Sequence, residues 1–142
     1  MSDDHDPVHV LSDEEAWEFL RAQRFGRLAY HVAAEVDIAP VNYVPTAEGL
    51  VFRTAPGSKL FGVIVGKTVA FEVDDVGADT ATSVIARGIA RHLTGEAADA
   101  AEALDLHPWV PTEKQEYVAV AVTAISGRRF DLARGQSAGD PT

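Results

Sequence analysis

The sequence predicts a mainly β domain: a small antiparallel six-stranded barrel with peripheral helices. Short runs rich in Val, Ile, Tyr and Phe alternate with turn stretches such as Thr46-Ala47-Glu48-Gly49 between residues 26 and 74. Two longer alternating runs, 83–93 and 117–125, follow. Strands spaced this closely pair antiparallel, and about six of them must curl or close to hide their edges.

Taken in order, residues 1–10 are polar, contain Pro7, and are expected to form a flexible N-terminal arm. Ser12-Asp13-Glu14-Glu15 carries a capping box, and Asp13 and Glu14 suit the positive end of a helix dipole. Ala16, Trp17, Phe19 and Leu20 give one apolar face, and Gly26 supplies a stop, which predicts a helix over 13–24. Strands are expected over 27–32 and 36–44, around a turn near 33–35. Pro40 has no amide hydrogen to give to a ladder, so it belongs at an edge, a bulge or an interruption. Residues 50–53 form the third strand and 57–65 a short helix; 68–74 places Val69, Phe71 and Val73 on one face.

Residues 74–82 read as a polar, Gly-containing loop, and 83–93 as a long strand with Gly88 at a bulge or close approach. An Ala- and Glu-rich helix is expected over 96–106, and Pro108, Pro111 and Thr112 make an irregular connection. The last strand covers 117–125 and continues toward 130. Residues 133–142 form a Gly/Ser/Pro tail that cannot bury enough apolar surface to order itself. The domain therefore occupies 11–132.

Acidic residues outnumber basic ones 22 to 12, for a formal charge of −10. That weighs against a nucleic-acid backbone as partner, because counterion release needs clustered Lys and Arg. It leaves room for a phosphorylated small molecule, which a few local cations can hold. The absence of cysteine rules out disulfides, thiolate catalysis and Cys-based metal sites. An acidic N-terminal stretch without an apolar core, and no apolar run near ~18 residues, predict a cytoplasmic protein without membrane spans.

The segment Arg53-Thr54-Ala55-Pro56-Gly57-Ser58-Lys59 carries the most chemistry. It offers a guanidinium, two hydroxyls, an ammonium and the free amides of a helix start, which is what an oxyanion needs. Spacing alone also describes a plain strand-to-helix turn with Ser58 as its N-cap. The segment is not a P-loop, since it has one Gly and no Gly-Lys-Thr/Ser. In Pro40-Val41-Asn42-Tyr43, Asn42 has donor and acceptor faces for a planar heterocycle and Tyr43 can stack or cap. Both also read as ordinary strand residues. Trp109, flanked by Pro108 and Pro111, plugs a core edge or covers a ligand or a neighbouring subunit. The histidines at 5, 9, 31, 92 and 107 show no metal-ligand spacing, and no Gly-X-Ser-X-Gly elbow is present.

Six stretches carry a family resemblance through their order. They are Gly26-Arg27-Leu28-Ala29, Pro40-Val41-Asn42-Tyr43, Phe52-Arg53-Thr54 with Gly57-Ser58-Lys59, Val69-Ala70-Phe71-Glu72-Val73-Asp74, Ser83-Val84 with Arg87-Gly88, and Pro108-Trp109 with Ser126-Gly127-Arg128-Arg129. The chain resembles the pyridoxamine 5′-phosphate oxidase-like, FMN-binding split-barrel proteins, above all their small actinobacterial branch, over residues 11 to 132. The resemblance implies a split β-barrel and a homodimer with two flavin sites at the subunit interface. It assigns the FMN phosphate to Arg53, Thr54, Ser58 and Lys59, and one edge of the ring to Val41, Asn42 and Tyr43. Ser83 falls on the opposite wall, where Thr82 stands in place of the aromatic often found in the branch, and Trp109 comes from the partner chain. No counterpart of the substrate-phosphate Arg/His pair of the vitamin B6 oxidase is present. The expectation is thus an FMN-dependent oxidoreductase acting on an unidentified small molecule, with no catalytic side chain assigned. Its alternatives are an F420-dependent reductase and a non-catalytic flavin- or haem-binding module.

Overall fold

The computed structural model describes residues 6–55, 59–103 and 116–132. Its elements run β1 (Val8–Val10), α1 (Asp13–Ala22), β2 (Phe25–Val32), β3 (Glu35–Asn42), β4 (Val44–Pro45) and β5 (Gly49–Thr54). They continue as α2 (Lys59–Ile64), β6 (Thr68–Val76), β7 (Thr80–Leu93), α3 (Gly95–Glu102) and β8 (Glu116–Asp131).

Every strand pair is antiparallel, in the order β3-β2-β6-β7-β8-β5-β4, with β1 added to β8. The path begins and ends on one stretch of chain. β3 and β4 are separated only by Tyr43, and the chain changes partner there, from β2 to β5. The Tyr43 N–H still donates to the Arg24 carbonyl at 2.9 Å, while Val44 and Pro45 pair with Val51 and Leu50. Six long strands therefore wrap around one core, and their last seam is held by the short β4 alone. The result is a split barrel rather than a closed one.

Alternation decides which side chains fill it. Val69, Phe71 and Val73 of β6, Val84 and Ala86 of β7, and Leu50 and Phe52 of β5 all point inward and are buried. α1 lays Ala16 and Leu20 on this core, both fully buried. Burial of a side chain the size of Leu20 or Phe71 contributes about 1.5–3 kcal/mol. α3 covers a smaller cluster on the other side of β5 and β8, where Ala101 meets Val51 and Tyr117.

Local chemistry explains several boundaries. The capping box forms as expected: the Glu15 N–H donates to Ser12 Oγ at 3.1 Å, and the Ser12 N–H donates to Glu15 Oε1 at 2.8 Å. Pro40 lies on β3, at the end of the ladder path. Gly88 marks a register shift against β8, and a Cβ there would stand 2.1 Å from the Ala121 carbonyl oxygen. Both match the sequence reading.

Other details differ. α1 ends at Ala22, and Gly26 is not its stop but a buried β2 residue. A Cβ on Gly26 would sit 2.5 Å from the Glu72 carbonyl oxygen, so glycine lets β2 close on β6. The expected arm contains β1, which pairs with β8. The expected loop over 74–82 shrinks to a tight turn, because β6 runs to Val76 and β7 starts at Thr80. The 108–112 connection, the end of the 96–106 helix and the 133–142 tail lie outside the described residues.

Candidate functional site

β5 ends at Thr54 and α2 opens at Lys59, so Arg53, Thr54 and Lys59 flank one strand-to-helix connection. Arg53 is half-buried, Lys59 is exposed, and neither has an ion pair among the described residues. Thr54 is buried, and its Oγ1 has no hydrogen-bond partner among them. An orphaned buried hydroxyl costs about 1–3 kcal/mol unless something accepts or donates to it. A bound oxyanion flanked by the two cations would be such a partner, so these residues fit a phosphate. Ser58 and Trp109 lie outside the described residues.

Val41 and Tyr43 point inward from the strand that forms one side of the split, and both are buried. Tyr43 is 1% exposed, packs edge-on against Phe71 with ring centroids 4.9 Å apart, and donates its hydroxyl to the Leu20 carbonyl at 2.7 Å. Burial pushes its phenol well above the usual tyrosine range. Tyr43 therefore ties α1 to the barrel, and its ring is not available for stacking on a ligand. Asn42, between them, faces outward and is half-buried, and its side chain has no hydrogen-bond partner among the described residues. Continuing the β4–β5 register by two residues brings Asn42 opposite Arg53, where β3 and β5 approach each other without a ladder. The split seam thus joins the two stretches that the sequence singles out separately.

Ser83 lies on the outer face of β7, where its hydroxyl donates to Glu72 Oε2 at 3.0 Å. Arg27 donates to Glu72 Oε1 through Nε at 2.9 Å and a terminal nitrogen at 2.6 Å, and it reaches Asp74 at 3.0 Å. The hydrogen bonding of Arg27 to Glu72 is the main reason its guanidinium titrates even higher than usual. This Arg27–Glu72–Asp74–Ser83 network spans β2, β6 and β7. Alternation already puts Glu72 and Asp74 opposite the Val69-Phe71-Val73 face. Only the register, with Arg27 opposite Glu72 and Asp74 opposite Ser83, reveals that they meet.

The geometry defines the class as an antiparallel split barrel. Residues 12–129 match the sequence profile of the pyridoxamine 5′-phosphate oxidase family, and the chain belongs to it. An uncharacterised Mycobacterium tuberculosis protein is 42% identical over 82 residues, 57% of this chain and 74% of that one. A Corynebacterium glutamicum protein, named as a candidate pyridoxamine 5′-phosphate oxidase, superposes with a TM-score of 0.81 at 37% identity, covering 91% of this chain and 97% of its own. An FAD binding protein from Mycobacterium smegmatis superposes with a TM-score of 0.80 at 37% identity, covering 88% of this chain and 100% of its own.

Proposed function

We propose that this protein binds a flavin, FMN, across the split seam and acts as a flavin-dependent oxidoreductase on a small molecule. The observation that carries the proposal is the buried Thr54 Oγ1, without a hydrogen-bond partner among the described residues, at a strand end between Arg53 and Lys59, two cations with no ion pair among those residues. The FAD-binding relative supports a flavin over an unrelated phosphate ester. In this reading Arg53, Thr54, Ser58 and Lys59 hold the phosphate, and Asn42 meets the ring edge with one donor and one acceptor group.

Bound flavin supplies hydride or electron-pair transfer; the protein supplies position, polarity and exclusion of water. The Ser83 hydroxyl donates its hydrogen bond to Glu72, which leaves its oxygen as an acceptor toward the outer face. Arg27 pairs with both Glu72 and Asp74 on that wall and offsets one of their two negative charges beside the ring. The same reading has a homodimer with the flavin at the subunit interface, where Trp109 of the second chain covers the ring.

F420 also carries its phosphate on a ribityl chain, so the cradle serves it equally. Mass spectrometry and the absorption spectrum of the purified protein test the proposal, followed by uptake of FMN, FAD and F420. A flavin that co-purifies or binds stoichiometrically is the expected result. Colourless protein that takes up none of the three overturns the proposal, and exclusive uptake of F420 replaces the flavin with the deazaflavin.

A further inference from the structure

We propose that the groove between β7, β8 and β1 is a second anion-binding site, built for an organic acid with an apolar body. The groove encloses about 540 Å³, within the range of small-molecule pockets. Ser83, Ile85, Arg87, Ser126, Arg128 and Phe130 line it. The ladder sets Ser83 opposite Arg128 and Ile85 opposite Ser126, and Arg87 follows two residues beyond Ile85 on the same outer face. Two guanidiniums and two hydroxyls therefore surround a half-buried apolar strip.

Charge makes this grouping informative. The chain carries a formal charge of −10, yet neither Arg87 nor Arg128 has a side-chain ion pair or hydrogen bond among the described residues. By contrast, Arg27 on the same face is fully engaged by Glu72 and Asp74. Two cations without counter-charges among the described residues make this sheet face locally positive, which favours an anion between them. Guanidinium forks match carboxylate and phosphate oxygens, the Ser126 hydroxyl adds a neutral donor, and Ile85 and Phe130 suit an apolar or aromatic body. A bare inorganic ion would leave that apolar strip uncovered.

Ser83 belongs both to this groove and to the wall assigned to the flavin ring. The occupant would accordingly lie beside the ring, as an acidic second substrate would. That placement rests on the flavin reading; the anion site itself does not.

Calorimetric titration of the protein as purified tests the site, with benzoate and phenyl phosphate as probes and benzyl alcohol as the neutral control. Both anions are expected to bind, more weakly at high salt, and benzyl alcohol is not. The R87Q/R128Q variant should lose at least about tenfold in probe affinity while keeping its flavin uptake. R87K/R128K, which keeps the charges, should retain part of that affinity, which separates lost charge from lost fold. R53A/K59A should leave probe binding unchanged. Equal binding by wild type and R87Q/R128Q, no binding by wild type, or loss in R53A/K59A instead would overturn the proposal. Absence of flavin uptake by wild type sinks only the flavin reading.

Discussion

Thr54 is the residue at which structure and ligand reading can be separated most cleanly. Its Oγ1 is buried without a partner among the described residues, a cost the empty fold must carry. Thr54→Val replaces the hydroxyl with a methyl of similar volume. It should raise the stability of the flavin-free protein by about 1 kcal/mol in urea unfolding and lower flavin affinity about tenfold. Unchanged affinity would mean that the hydroxyl faces no ligand. Residue chemistry was legible in the sequence where it is local. Arg53 and Thr54 close β5 and Lys59 opens α2, the strand-to-helix arrangement that their spacing suggests. Tyr43 was not legible: an aromatic in a strand looks alike on either face, and only its pairing with Leu20 and Phe71 shows that it belongs to the core. Arg27 was missed as a site residue because its partners are 45 and more positions away.

At the scale of elements, α1 offers a pH test. The Ser12 backbone hydrogen bond holds the Glu15 carboxyl below its ordinary value of 4.5. A depressed carboxyl contributes stability that is fully present above the unfolded value and is lost as pH falls through the folded one. Glu15→Gln keeps the shape of the capping box but not the charge. Its urea midpoint should therefore fall below that of the wild type above pH 4.5, and the gap should close on acidification. A gap that does not change with pH would contradict the assignment. This helix was readable because its caps are set within four residues. The β6–β7 hairpin was not: Asp74, Asp75 and Gly77 carry turn propensity, and the long ladder to β7 overrides it up to Val76. β1 escaped for a similar reason, since three residues alone have no strand signal until β8 offers an edge.

For the whole molecule, the fold follows from one economy of edges. The strand path starts and ends on the stretch from Glu35 to Pro45, so one switch at Tyr43 leaves a single open seam. A small antiparallel barrel was implied by the number and spacing of the strands; the switch at Tyr43 was not, because residues 36–44 read as one strand. The apolar outer face was not foreseen, because it depends on which neighbours share it. Val36 and Ile38 of β3 stay 65% and 61% exposed, as a subunit interface would require. If this face forms the proposed homodimer, V36D/I38D should elute as a monomer under light scattering and lose flavin together with its partner. A variant that stays dimeric places the interface elsewhere.

The central claim, that Arg53 and Lys59 hold a flavin phosphate at the seam, is tested most directly by fluorescence titration of FMN and FAD into wild type and R53A/K59A. The wild type should bind one flavin per chain, and the double variant, still folded by circular dichroism, should bind it at least about a hundredfold more weakly, as loss of two charge-assisted contacts demands. Equal affinity in the two proteins would contradict the account.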